Sequence, residues 1–309
     1  MAKKKQNYQF QKLKMCKKCQ RYSILKDEIC PVCGKHYKKV CTFVKKSFIK
    51  RLMTELMWIL TITGLGIIFA PAKQTMYYLS GGCAFGISYI VILSFFLKSE
   101  YYCQLKKRLR KDLRNIQAGI RFDSDLAEAE VKEGKVEEAY EKWREIGEFV
   151  FSDAVKIRQV RVLNKLPLKN GLERELERLI PSSYDRDFVK YALRMLNLNR
   201  ARISKKCIAY LICYRGNIEI DFGRDSLIAI ADTALRMKLY ILEFSSFIEE
   251  FLEDLPKERL LRLCSMIHTY PHHEWGSLKM STTRLVERNY SYDPNFKRFL
   301  EQKKLSSHA

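Results

Sequence analysis

Apolar residues are spread unevenly along the chain, and two stretches stand out. Residues 52–72 and 76–97 are nearly continuous apolar runs. Each has the length of about 20 residues that a helix needs to span a bilayer core. Glu55 is the one charge in the first run, and the second has none. Trp58, Tyr77, Tyr78, Tyr101 and Tyr102 lie near the ends, as interfacial aromatics do. Pro71 and the short connection to Thr75 imply an antiparallel hairpin. Gly82-x-x-x-Gly86 and Gly66-x-x-x-Ala70 add small residues where helices could approach closely.

From 101 onward the pattern changes to a helical period, with apolar residues three and four apart. Residues 101–119 form a basic stalk. The periodicity then predicts helices at about 153–165, 171–179, 184–196, 201–214, 225–237, 239–252, 256–268 and 275–288. Pro181, Asn217 and Pro271 mark breaks. The predicted fold class is therefore mainly α. Its parts are an N-terminal zinc ribbon (1–45), a transmembrane hairpin (52–97) and an all-α, helical-repeat-like domain (101–309). A solenoid with a groove and a compact bundle both fit the last of these.

Charge alters this picture. The net charge is +22. Residues 1–51 hold 16 Lys and Arg against 2 Asp and Glu, whereas residues 120–309 are close to balanced. The cations flank the apolar runs at Lys45, Lys46, Lys50, Arg51, Lys98 and the 106–114 cluster. Such a bias predicts both termini on the cytoplasmic side of a cell membrane, and anionic lipid as a contact of the basic flanks. The N-terminal lysines, interleaved with Tyr8, Tyr22 and Tyr37, also suit nucleic-acid phosphate and base stacking. The basic opening residues, with no apolar core after them, predict no signal peptide.

Cys16-Lys-Lys-Cys19 and Cys30-Pro-Val-Cys33-Gly34 are the strongest chemical motif. Two Cys-x-x-Cys knuckles can place four thiolates around one zinc, and a four-ligand site is closed and structural. The segment is too short for a core of its own, so the metal would supply its folding energy. The predicted metal ligands are Cys16, Cys19, Cys30 and Cys33. Iron in a rubredoxin-like setting is the minor alternative. Cys41, Cys83, Cys103, Cys207, Cys213 and Cys264 are scattered and read as thiols rather than a disulfide framework.

Arg21-Tyr22-Ser23 and Ile29-Cys30-Pro31-Val32-Cys33-Gly34 make residues 14–37 resemble the zinc ribbon of the small subunit of box H/ACA ribonucleoproteins. That resemblance implies contacts within an RNA–protein complex. The overall layout also resembles bacterial membrane proteins that begin with a zinc ribbon. Residues 123–146 resemble one tetratricopeptide repeat, with Leu126, Ala127, Gly134, Ala139, Trp143 and Ile146 at the expected places.

No phosphate-binding loop, nucleophile elbow or His-Glu-x-x-His motif is present. His268, His272 and His273 read as a polar turn, and Asp221, Arg224 and Asp225 as a polar loop in which Asp225 would cap a helix. The expectation is a non-enzymatic, membrane-anchored adaptor that binds a partner protein through its helices and ribbon. The alternative is a membrane-tethered nucleic-acid-binding or sensing protein.

Overall fold

A computed structural model describes residues 12–69, 75–167, 173–199, 203–297 and 299–300. The chain divides into two compact units, 1–151 and 152–309.

The first unit opens with a small antiparallel sheet in the order β2-β1-β3: β1 (Lys14–Cys16), β2 (Tyr22–Ser23) and β3 (Tyr37–Lys39). The register pairs Met15 with both Tyr22 and Lys38. Strands this short cannot hold a sheet alone. Each knuckle closes on itself instead. Cys16 N–H donates to Arg21 O, Cys30 N–H to Lys35 O and Gly34 N–H to Cys30 O, all at 2.9 Å. Gln20 and Gly34 take the left-handed conformation that these tight turns demand.

Helix α1 (Val40–Phe69) continues directly from β3, and α2 (Thr75–Lys111) packs against it. The pair is antiparallel: Arg51 bonds Glu100 at 2.7 Å, Tyr89 donates to Glu55, and Gly82 lies against Thr63. A Cβ at Gly82 would come within 2.2 Å of the Thr63 methyl, so this glycine sets the close approach. Gly86 has open space around it, and Ala70 lies outside the described residues.

The transmembrane expectation is corrected here. Among the described residues, no helix is long and apolar enough to cross a membrane. Glu55, partly exposed, is bonded to Arg51 and Tyr89 across the hairpin. The uncharged described stretch beyond it, residues 56–69, rises about 21 Å, short of the ~30 Å hydrocarbon core. The 76–97 run is broken by Ser80, Gly81, Gly82, Gly86, Ser88 and Tyr89. The integral-membrane assignment with cytoplasmic termini rested on that span and falls with it.

Helices α3 (Leu113–Lys132) and α4 (Val136–Phe149) complete the unit as a tight hairpin. Gly134 turns the chain at φ +82°, a conformation that costs a side-chain-bearing residue strain. Ala127 and Ala139 are fully buried where the helices meet, and Trp143 and Ile146 fill the space between them. These are positions at which the tetratricopeptide resemblance placed small and large residues.

Among its described residues the second unit contains helices joined by turns, and no strand. It comprises α5 (Asp153–Lys165), α6 (Glu173–Leu179), α7 (Arg186–Asn199), α8 (Lys205–Cys213), α9 (Arg215–Phe222) and α10 (Arg224–Ala234). Then follow α11 (Lys238–Glu243), α12 (Ser245–Glu250), α13 (Lys257–Thr269) and α14 (Gly276–Asn289). Phe188, Tyr191, Leu211, Ile230, Phe247, Leu263 and Leu278 are among its buried residues. Two details differ from the periodicity. The expected 239–252 helix is split at Phe244, whose ring side buries while the backbone leaves helical geometry. Residues 215–222 are helical although Asn217 reads as a break, because Ile218 is buried completely.

Candidate metal centre

The two knuckles bring together all four cysteines predicted as ligands. Their Sγ atoms lie within 4.8 Å of one another. Cys16 and Cys33 are 3.3 Å apart, Cys19 and Cys30 3.5 Å, and Cys19 and Cys33 3.9 Å. Four thiolates at the usual zinc–sulfur distance stand about 3.8 Å apart at the corners of a tetrahedron. The cluster thus has the size for one ion, and the donor set fits a thiophilic metal.

The surroundings favour the thiolate at Cys16 and Cys30 and the thiol at Cys19 and Cys33. Burial pushes the Cys30 thiol up, but the backbone amides of Val32 and Cys33 and the Tyr37 hydroxyl donate to its sulfur. They bring it down to about 6. Cys16 is likewise lowered: burial opposes the shift, and the amides of Cys19 and Lys18 outweigh it. Cys19 is pushed up to about 12, by burial first and then by its three thiol neighbours. Four sulfurs this close cannot all carry charge unaided, and a cation is what would let them. Among the described residues this is the one metal-type cluster. His268, His272 and His273 form none. His273 instead stacks on Tyr270, 5.7 Å between ring centres.

Beside the knuckles, cations crowd. Lys17 sits over the Phe43 ring at 5.8 Å. The charges of Lys38, and after burial that of Lys46, hold its pKa below the usual lysine value.

Sequence reasoning missed what holds the ribbon in place. β2 packs against α3. Asp123, buried on α3, accepts from Ser23 Oγ at 3.0 Å and from the Ile24 amide at 3.0 Å. Burial raises its carboxyl to about 6. Tyr22 donates its hydroxyl to Asp112 at 2.6 Å. The Arg21 guanidinium lies 3.9 Å from the Phe122 ring centre. Gly119 is what lets the two meet, since a Cβ there would come within 2.3 Å of the Tyr22 carbonyl oxygen. Lys26 adds contacts to Glu145 on α4, its amide at 2.7 Å and its ammonium at 3.1 Å. The signal available in the sequence was faint: a glycine and an aspartate on one helical face, at 119 and 123.

The polar loop at 221–225 is also resolved. Asp221 accepts from Tyr184, and Arg224 bonds Asp254 at 2.8 Å. Gly223, not Asp225, occupies the cap position of α10.

The four-cysteine cluster thus defines a zinc-ribbon-like site in a mainly helical protein. No protein-family model, no curated protein and no solved structure matches the chain.

Proposed function

We propose that the protein is an adaptor, in which zinc closes the ribbon and the helical unit 152–309 receives a segment of a partner protein. The observation that carries this reading is a groove of about 610 Å³ along α7. Arg186, Lys190 and Arg194 recur every fourth residue on the wall of that groove, with Phe222 beside them. Its acids are already engaged. Asp187 bonds Arg161 at 2.7 Å, and Asp221 accepts from Tyr184. Arg194 is fixed by the carbonyls of Asn164 and Leu166, at 2.9 and 3.2 Å. Lys190 is exposed and makes no ion pair among the described residues. A fixed guanidinium, a free ammonium and an aromatic face suit an acidic, partly apolar peptide.

Zinc is the metal of this reading, because four thiolates with no open position match its structural sites. The ribbon's likeness to that of box H/ACA small subunits, which work inside a larger complex, fits a second contact surface. The test is cross-linking of the full-length protein in its own cells. A partner segment rich in Asp or Glu should map to α7 and be lost in Lys190→Glu, with the helical circular dichroism unchanged. Cross-links that ignore the substitution, or that avoid α7, would refute the groove.

A further inference from the structure

The hairpin α1–α2 carries a combination that neither the metal centre nor the groove explains. Residues 29–54 contain seven Lys and Arg and no Asp or Glu. On this part of the fold Lys45, Lys46 and Lys50 of α1 are exposed, as is Lys98 of α2. Among the described residues none of the four makes an ion pair. Arg51 differs, being spent on Glu55 and Glu100. The antiparallel pairing puts Lys98 at the same end of the hairpin as the α1 lysines, so the four form one collar. Immediately past the collar, large apolar side chains stand in solvent. Met53, Met57, Trp58 and Leu60 on α1 are all more than half exposed, and so are Phe85 and Ile87 on α2. Between the helices, beside Trp58, lies a groove of about 510 Å³ with mostly apolar walls.

We propose that this hairpin rests on an anionic lipid surface, the lysine collar gathering headgroup phosphates while the adjoining apolar side chains lie against the acyl region. Contact of this kind lies in the interface and requires no helix that crosses it. Nucleic acid would use the lysines but offers nothing to aliphatic side chains such as Met53 or Leu60. Lipid meets both demands, since phosphate complements the charge and acyl chains accept apolar groups from any direction.

Trp58 gives the test a clean signal. It is 64% exposed, while Trp143 and Trp275, the other two tryptophans, are 1% and 3% exposed. Full-length protein is titrated with phosphatidylcholine vesicles, with and without phosphatidylglycerol. With the anionic lipid, tryptophan emission should shift to shorter wavelength and the protein should float with the vesicles. Trp58→Phe should abolish the shift but not the flotation. Neutralising the collar (K45Q, K46Q, K50Q and K98Q together) should weaken binding at least about tenfold, since one lysine near an anionic surface contributes about a fivefold factor. Unchanged metal content and circular dichroism would show that this variant is folded. Equal binding to both vesicle types overturns the proposal. So does an absence of vesicle binding, or single-stranded RNA binding that the same four substitutions abolish while vesicles bind no better than controls.

Discussion

At the scale of single residues, Asp123 is the most informative position. It is a buried carboxylate that receives two hydrogen bonds from the ribbon, yet its burial outweighs them and raises it to about 6. The folded-state value is above the unfolded one of 3.8. The stability associated with the protonated form is therefore full below about pH 4 and is lost as pH rises through about 6. The shift of about two units corresponds to about 3 kcal/mol. Thiolate–metal bonding runs the opposite way and weakens in acid, so the comparison must be internal. The stability difference between the wild-type protein and Asp123→Asn, from denaturant titrations between pH 4 and 7, should move against the wild type as pH rises. A constant difference would contradict the burial account. The sequence marks Asp123 only faintly, by its spacing of four from Gly119. Its partners Ser23 and Ile24 lie about a hundred positions away.

At the scale of elements, what was legible depended on how local the physics is. The cysteine knuckles could be read because a zinc site is defined by spacings of two residues and a turn. The α3–α4 hairpin could be read because Ala127, Gly134, Ala139 and Trp143 fall within a single repeat length. The docking of β2 on α3 could not be, since it depends on a tertiary close approach at Gly119. Gly119→Ala tests that approach. In an isolated helix alanine is favoured by about 1 kcal/mol. Here its methyl would press on the Tyr22 carbonyl, so the expected net effect is a loss of about 1–3 kcal/mol in the first unit. Amide exchange should quicken at Ser23 and Ile24 before it does in the second unit. A stabilised protein with unchanged exchange would show that the two elements do not touch.

At the scale of the whole molecule, average apolarity misled. The runs at 52–72 and 76–97 have spanning length on paper. In the folded hairpin Glu55 is bonded to Arg51 and Tyr89, and serines and glycines dilute the apolar run along the continuous helix α2. Hydropathy counts residues, but it does not register which polar groups find partners along a helix. The same uneven distribution of charge still has meaning, because the lysine collar remains uncompensated in the fold. The second unit was legible as helices, and its groove was not, since Arg161 pairs with Asp187 and Tyr184 donates to Asp221 from outside the stretch that forms its wall.

The central claim is that the ribbon is organised by one zinc ion on Cys16, Cys19, Cys30 and Cys33. Its most direct test is elemental analysis of the full-length protein beside native mass spectrometry of Cys30→Ser. The account expects one zinc per chain, lost in the variant and on acidification, with the first unit losing amide protection and the second unit keeping it. A protein that holds no metal when purified without chelator, holds iron instead, or keeps its zinc in Cys30→Ser would contradict it.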